Sequence, residues 1–132
     1  MDRQAISTEQ APAAIGPYTQ AIVAGGLVIC SGTAGIDPVT GQIPEGIAEQ
    51  TRLALRNLEA ILTAAGASLS TLVKTTIFYR DVADFATINE IYADHMPDPP
   101  PARSAPAGVQ LPHGLLISIE AIATVTAAAR DA

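Results

Sequence analysis

Residues 115–126 read LLISIEAIATVT, and the alternation of this stretch decides the fold class. Successive side chains of a strand point to opposite sides, so the stretch predicts two different faces. One face is purely apolar and is expected to carry helices: Ile117, Ile119, Ala121 and Ala123. The other face is more polar: Ser118, Glu120, Ile122 and Thr124. The stretch therefore predicts a strand that packs against helices on one side only.

Short strands are predicted near the beginning of the chain. Two apolar runs, residues 20–24 and 27–31, flank Gly25-Gly26. A diglycine between such runs indicates a hairpin, because tight hairpin turns need positive φ. A third short strand is expected over residues 33–36, before the turn residues Asp37-Pro38.

Two helices and another strand are predicted in the middle of the chain. Apolar residues spaced by three and four predict a helix over residues 47–65, which Gly66 ends. Residues 72–80 are rich in β-branched side chains and predict a strand. The face of this strand expected to point inward holds Val73, Thr75, Ile77 and Tyr79. A second helix is expected after Asp84, followed by a stiff, proline-rich crossing from Pro97.

The predicted order β-β-β-α-β-α-β-β is an α+β arrangement with two helices on one face of a mixed sheet. Phe78 and Ile122 are expected on the opposite face, which is then too apolar to be left in water. The sequence contains no third helix to cover that face. We therefore expect a closed symmetric assembly of identical chains, with ligand clefts between its subunits.

Length, charge and cysteine count exclude several classes of function. The 132 residues are expected to form one domain, residues 1–132. A net charge of −6 disfavours binding to nucleic acid or to an anionic membrane. No apolar stretch is long enough to span a membrane and no signal peptide is recognised, so a cytoplasmic protein is expected. One cysteine and two distant histidines disfavour a metal centre.

Arg103 is the residue whose local sequence points to ligand binding. It lies in the segment PPARS of residues 100–104, where prolines restrict the backbone that carries the guanidinium. A fixed planar guanidinium suits bidentate binding of a carboxylate. An ion pair with an acidic residue of a neighbouring subunit explains the same arginine equally well, so both interpretations stand.

The other reactive side chains have structural explanations. Cys30 follows three aliphatic residues in a predicted strand and is interpreted as a small buried hydrophobe. His95 is interpreted as a packing or helix-end residue. His113 lies between Pro112 and Gly114 in a predicted turn, and no G-x-S-x-G motif is present, so a serine-histidine-acid triad is not favoured.

Several separated stretches follow one another in a recognisable order. They read APAAIGPY at 11–18, SG at 31–32, DP and TG at 37–41, VKTT at 73–76, DFATIN at 84–89 and PARS at 101–104. Together with the closing strand they cover essentially the whole chain. In this pattern the sequence resembles the Rid family, the RidA/YjgF group of reactive intermediate deaminases, often labelled endoribonuclease L-PSP.

The resemblance implies a chorismate-mutase-like α+β fold assembled as a homotrimer, with a site in each cleft between adjacent subunits. It implies hydrolysis of reactive 2-imino and enamino acids, such as 2-aminoacrylate and 2-iminopropionate, to 2-keto acids and ammonia. No metal or organic cofactor is implied. The ribonuclease activity that the family label suggests gains little support from so acidic a chain.

The resemblance also assigns site residues by position. Arg103 should bind the substrate carboxylate, and Tyr18 should close the cleft. Four further positions should line the substrate pocket: Ser31, Gly32, Asn89 and Ala105, the last by its backbone.

The closing strand departs from the family pattern at the position that matters most for catalysis. The family usually reads Ile-Glu-Ile-Glu-Ala there, and its first glutamate is thought to orient or activate water, whereas this chain has Ser118. Serine can hydrogen-bond a water but is a poor base at neutral pH. Glu120 lies about 7 Å further along the same face and could substitute only in a shifted cleft.

Two hypotheses therefore remain. The first is an imine deaminase, since such substrates are electrophilic and a site that gathers the reactants can supply much of the rate. The second is a trimer that binds a small carboxylate, with Ser118 marking lost or altered catalysis.

Overall fold

The computed structural model describes residues 2–126 of the chain. These residues form an α+β fold of six strands and two helices. The strands are β1 (Gln4–Ile6), β2 (Ala21–Ala24), β3 (Leu27–Ala34), β4 (Leu72–Tyr79), β5 (Ala102–Ser104) and β6 (Ile117–Thr124). The helices are α1 (Ile47–Ala64), between β3 and β4, and α2 (Phe85–His95), between β4 and β5.

The strands form one mixed sheet in the order β1-β2-β3-β6-β4-β5. Neighbouring strands are antiparallel except β4 and β5, which are parallel. The chain leaves β4 through α2 before it enters β5, and a parallel pair needs such a crossover. The α+β fold, the mixed sheet and the two helices are thus confirmed, whereas the individual strands near the beginning of the chain differ from those predicted.

One face of the sheet and both helices enclose the hydrophobic core. Val28, Ile77 and Ile119 on three strands are fully buried, as are Leu55 and Leu58 of α1. Helix α1 lies very close to the end of β3, since a β-carbon at Gly35 would come within 2.8 Å of Gln50 Cα. Glycine at position 35 therefore allows the close packing of helix on sheet.

Helix α1 ends as its sequence predicts. The last helical residue is Ala64, and Gly66 follows with a φ of 79°. The amide of Gly66 donates to the Thr63 carbonyl, and the amide of Ala67 donates to the Leu62 carbonyl. A glycine with positive φ at this place closes the helix by satisfying carbonyls that have no partner within the helix.

The structure corrects three predictions about the strands. The expected strands at 27–31 and 33–36 are one strand, β3, whose pairing with β6 shifts register between Cys30 and Thr33. β1 has no counterpart among the predicted elements. Val73 does not point inward but is 47% exposed, because a second register shift between Leu72 and Lys74 places Leu72 in the core instead.

The face of the sheet opposite the helices remains accessible in the single chain. Leu27 and Ile29 on β3 are 37% and 47% exposed. Ile122, the cross-strand partner of Ile29, is half-buried, as is Phe78 on β4. An apolar surface of this kind is typical of a protein interface. Among the described residues, neither helix has the length and hydrophobicity needed to cross a membrane.

Candidate functional site

Arg103 lies at the edge of the sheet and is held by helix α2. Its backbone pairs with Thr75 across the parallel strands β5 and β4. Its Nη1 donates a 2.6 Å hydrogen bond to Oδ1 of Asn89, which lies on α2. The Asn89 amide oxygen is an acceptor fixed to a helix, so it restricts the rotation of an otherwise exposed guanidinium.

Two aromatic rings of α2 flank the same guanidinium. Its central carbon lies 5.1 Å from the centre of the Tyr92 ring and 5.6 Å from that of Phe85. Phe85 in turn stacks on Tyr79 of β4, with ring centres 6.2 Å apart. Cation–π attraction to two rings stabilises the charge of Arg103 without using its N–H donors.

The Tyr92 ring is itself fixed from below. Its hydroxyl shares a 2.6 Å hydrogen bond with the Thr75 hydroxyl, and both residues are buried. Burial raises the pKa of Tyr92, and the bond to Thr75 and the nearby charge of Arg103 offset part of that rise. Thr75 thus fixes the position of the Tyr92 ring, and that ring in turn contacts the exposed guanidinium of Arg103.

A separate cavity of about 320 Å³ lies near the ends of β3 and β6. Its lining includes four of the predicted site residues: Tyr18, Ser31, Gly32 and Ser118. The rest of its wall is mostly apolar and includes Pro12, Ile15, Ile36, Leu111 and Leu115. A concave, largely apolar cavity with a few polar groups is typical of a small-molecule site.

The wall that carries Tyr18 is held in place by one buried glutamine. Gln20 accepts a 2.7 Å bond from the Thr8 amide and donates a 2.8 Å bond to the Pro12 carbonyl. The Ser31 hydroxyl donates a 2.5 Å bond to the Thr19 carbonyl. These bonds tie residues 8–20 to the end of the sheet, so the irregular segment forms a fixed wall despite its lack of secondary structure.

Gly32 and Ser118 lie side by side in the wall of this cavity. A β-carbon at position 32 would lie only 2.7 Å from Ser118 Oγ, so no larger residue fits without displacing the serine. Within residues 2–126 the Ser118 hydroxyl has no hydrogen-bond partner. Glu120 is exposed and does not line the cavity. The absence of a side chain at Gly32 leaves the Ser118 hydroxyl available to a ligand or a water.

The predicted site residues thus form two groups within one chain. Arg103 pairs with the inward-facing Thr75 and contacts α2, whereas Ser118 lies on the opposite, open face. Neither Arg103 nor Asn89 lines the cavity of Tyr18, Ser31, Gly32 and Ser118. Ala105 packs against the core beside β5. Within one chain, Arg103 and the cavity of Ser118 therefore belong to separate parts of the surface.

Two residues that the sequence analysis did not name as site residues, His113 and Asp37, also line this cavity. The sequence predicts only a turn at His113, and the structure adds that this turn lines the same cavity as Ser118. Asp37 also lines the cavity, and hydrogen bonds from the backbone amides of Thr40 and Val39 lower its pKa. The predicted turn is confirmed, and its position beside the cavity follows from the fold, which no local pattern reveals.

Cys30 and His95 lie where the sequence placed them. Cys30 is 3% exposed, and burial raises the pKa of its thiol to about 12. Nδ1 of His95 lies 2.8 Å from the Ile91 carbonyl oxygen at the end of α2. Among residues 2–126 no three His, Cys, Asp or Glu side chains are grouped closely enough to hold a metal ion.

Comparison with known proteins identifies relatives along nearly the whole chain. Residues 8–125 match the family model described as Endoribonuclease L-PSP. The chain is 50% identical over 124 residues to Reactive Intermediate Deaminase A of Arabidopsis thaliana, which covers 93% of this chain and 66% of the plant protein. It is 45% identical over 121 residues to the 2-iminobutanoate/2-iminopropanoate deaminase of Escherichia coli, covering 89% and 94% of the two chains.

Solved structures show the same fold. RidA from an Antarctic Psychrobacter species superposes with a TM-score of 0.90 at 40% identity, covering 92% of this chain and 99% of that one. E. coli TdcF with bound serine superposes with a TM-score of 0.87 at 41% identity, covering 93% and 99%. The Arabidopsis protein and the 2-iminobutanoate/2-iminopropanoate deaminase of Escherichia coli are deaminases by name, which confirms the enzymatic interpretation at the level of the family.

The motifs quoted from the sequence, the mixed sheet with its two helices and the family match over residues 8–125 agree with one another. The chain belongs to the Endoribonuclease L-PSP family, the group that its sequence resembles under the name Rid.

Proposed function

We propose that this protein hydrolyses 2-imino acids, such as 2-iminopropionate and its enamine tautomer 2-aminoacrylate, to 2-keto acids and ammonia. The observation that carries the proposal is the guanidinium of Arg103, exposed yet fixed by Asn89 and two aromatic rings. The names of relatives support the reaction class, since several are 2-iminobutanoate/2-iminopropanoate deaminases.

The contacts of Arg103 leave it able to bind a carboxylate. A guanidinium has five N–H donors, and Asn89 uses one through Nη1. The cation–π contacts use the faces of the group and none of its donors. The remaining donors lie in one plane, which matches the two oxygens of a carboxylate. A 2-imino acid carries such a carboxylate beside its reactive carbon, so its binding would orient the C=N bond.

The complete site would form between subunits of a homotrimer. Arg103 lies toward the helices and Ser118 lies on the open face, so a second chain must bring the two groups together. The exposed apolar side chains of that face, Leu27 and Ile29 among them, support its burial in an assembly. Light scattering should show a mass about three times that of one chain, and a monomer at assay concentration would contradict this model of the site.

The cavity of Tyr18, Ser31, Gly32 and Ser118 would receive the reacting carbon and its side chain. Its wall is largely apolar, which suits an alkyl substituent and limits the entry of bulk water. The Ser118 hydroxyl is free to hydrogen-bond one water. Orientation of that water against a bound imine would supply rate by proximity, even though serine is a weak base.

The test follows 2-keto acid release while an amino-acid oxidase generates imines in the presence of a nucleophilic scavenger. The wild-type protein should divert imine from the scavenger to keto acid. Arg103→Ala should lower kcat/KM by about 10- to 100-fold, as expected for loss of a charged hydrogen-bonded pair. Arg103→Lys is the matched control, because it keeps the charge and loses the planar donors. If Arg103→Ala equalled the wild type, the role of Arg103 would be wrong.

A second candidate function is binding of a small carboxylate without turnover. This candidate is favoured by Ser118, which stands where the family pattern usually has a glutamate. The structural relative TdcF was solved with bound serine, which also carries a carboxylate. This candidate predicts binding of serine or a 2-keto acid in calorimetry that Arg103→Ala abolishes, together with no acceleration of imine hydrolysis by the wild-type protein.

A further inference from the structure

His113 occupies an unusual place in the wall of the cavity. It is exposed in a short 3-10 turn, Pro112–Gly114, that leads into β6. The same cavity is lined by Ser118, which lies on β6 itself, and by Tyr18. Among residues 2–126 the His113 ring has no hydrogen-bond partner, so both ring nitrogens are available to a molecule in the cavity.

The backbone of His113 adopts a strained, left-handed conformation. Its φ is 60° and its ψ is 22°, and it is the one non-glycine residue with positive φ in the described part of the chain. Histidine, asparagine and aspartate tolerate this left-handed conformation better than other side chains do, but it still carries a cost. Strain of this kind concentrates at functional sites.

The other polar side chains that line the cavity are poorer proton acceptors at neutral pH than an imidazole. The hydroxyls of Ser31 and Thr33 donate to backbone carbonyls, and the Asp37 carboxylate accepts from two backbone amides. Those amide bonds lower the pKa of Asp37, so it is a weak base near neutrality. The Tyr18 hydroxyl accepts from the Ile15 amide, and the Ser118 hydroxyl is not basic.

We propose that His113 is the catalytic base of this site and takes the role for which Ser118 is unsuited. Imidazole is the side chain that changes charge in the neutral range and acts most often as a general base. The inference rests on the proposed imine hydrolysis, and it assigns a residue that the sequence had set aside. Tyr18 and Asp37 are the other titratable groups that line the cavity.

The step balances with water as the one co-reactant. The water oxygen forms a bond to the imine carbon, and the π pair of C=N moves to nitrogen. The neutral imidazole of His113 accepts the water proton and returns it to that nitrogen, which gives a carbinolamine. The C–N bond then breaks as the hydroxyl proton is carried to nitrogen, so ammonia leaves and the C=O of the keto acid forms. Ser118 would hold the attacking water by a hydrogen bond.

The first test compares the wild-type protein with His113→Asn in the oxidase-coupled assay over pH 5 to 9. Asparagine tolerates positive φ and keeps a polar side chain, so the turn should survive, but it does not titrate. We expect kcat/KM at pH 8 to fall at least about tenfold. The wild-type profile should fall at acid pH, where a general base loses its function by protonation, and His113→Asn should lack that fall.

The second test is chemical rescue. His113→Gly relieves the strained backbone and opens space in the wall, so added imidazole should restore part of the lost rate. The double variant His113→Gly/Arg103→Ala is the matched control, because imidazole should not restore its rate above the rate in buffer with imidazole alone. Rescue that requires Arg103 would place the imidazole against a correctly bound substrate, which a merely structural role for His113 would not produce.

The outcomes separate the two claims. A wild-type protein that accelerates no imine would overturn the proposed hydrolysis and this inference with it. A wild-type protein that accelerates hydrolysis, with His113→Asn showing the same rate and the same pH profile, would overturn the role of His113 alone. An unfolded His113→Asn, detected by circular dichroism, leaves the decision to His113→Gly, whose failure to respond to imidazole would also overturn it.

Discussion

The buried hydroxyl groups of Thr75 and Tyr92, beneath Arg103, should stabilise the fold as a pair, which double-mutant analysis can test. Thr75 is 0% exposed and Tyr92 is 5% exposed, and their hydroxyl oxygens lie 2.6 Å apart. Tyr92→Phe leaves the Thr75 hydroxyl buried without that partner, and Thr75→Val does the same to the Tyr92 hydroxyl. Each single change should lower the free energy of unfolding by about 1–3 kcal/mol, the cost of leaving a buried polar group unpaired.

The double variant Tyr92→Phe/Thr75→Val removes both hydroxyls and keeps side chains of similar shape, so no group remains unpaired. Its loss should be smaller than the sum of the two single losses by at least about 1 kcal/mol. Urea unfolding at one fixed protein concentration measures all four proteins, since assembly makes stability depend on concentration. Additive losses would show that the two hydroxyls are not coupled, and the account of how the Tyr92 ring is fixed would be wrong.

Two other predictions concern packing and ionisation in the core. Gly35→Ala should lower the free energy of unfolding by about 1–3 kcal/mol, because its β-carbon would press on the Gln50 backbone; Gly16→Ala, whose nearest contact would be an ordinary 3.6 Å, is the control and should change it by less than about 0.5 kcal/mol. Burial raises the pKa of the Cys30 thiol from 9.0 to about 12, so the unfolded chain loses this proton at lower pH than the folded chain does. The contribution of Cys30 to the free energy of unfolding is therefore complete below pH 9 and falls as pH rises from 9.0 toward 12. The free energy of unfolding, measured from pH 8 to 10, should depend less on pH in Cys30→Ala than in the wild type.

Local periodicity sufficed to predict the elements that bury a continuous face. The apolar residues of β6 and α1 alternate with the periods of strand and helix, and both elements lie where those periods place them. The errors occur where tertiary pairing overrides the period. Val73 is exposed because pairing with β6 shifts the register at Leu72, and nothing within residues 72–80 announces that shift.

The sequence singled out candidate site residues, but it did not show how a single chain groups them. Arg103 could be singled out from its proline frame, and the resemblance supplied Tyr18 and Asn89. That Arg103 lies toward the helices, while Ser118 lies on the open face, follows from strand pairings that join distant parts of the chain. His113 lacked any local signal, because only the fold brings its turn against the cavity.

Arg103 and the cavity of Ser118 are separate within one chain, so each can change without altering the other. Arg103 is held by Asn89, Phe85 and Tyr92 on one side of the sheet, so the proposed carboxylate binding would depend on α2 and β5. The groups that would handle water, Ser118 and His113, line a different cavity. Under the proposed function, a substitution in that cavity would alter catalysis and leave the proposed carboxylate-binding group intact. A serine at position 118 is then compatible with a working enzyme if another group of the same wall accepts the proton, and His113 is the group whose position and chemistry allow it.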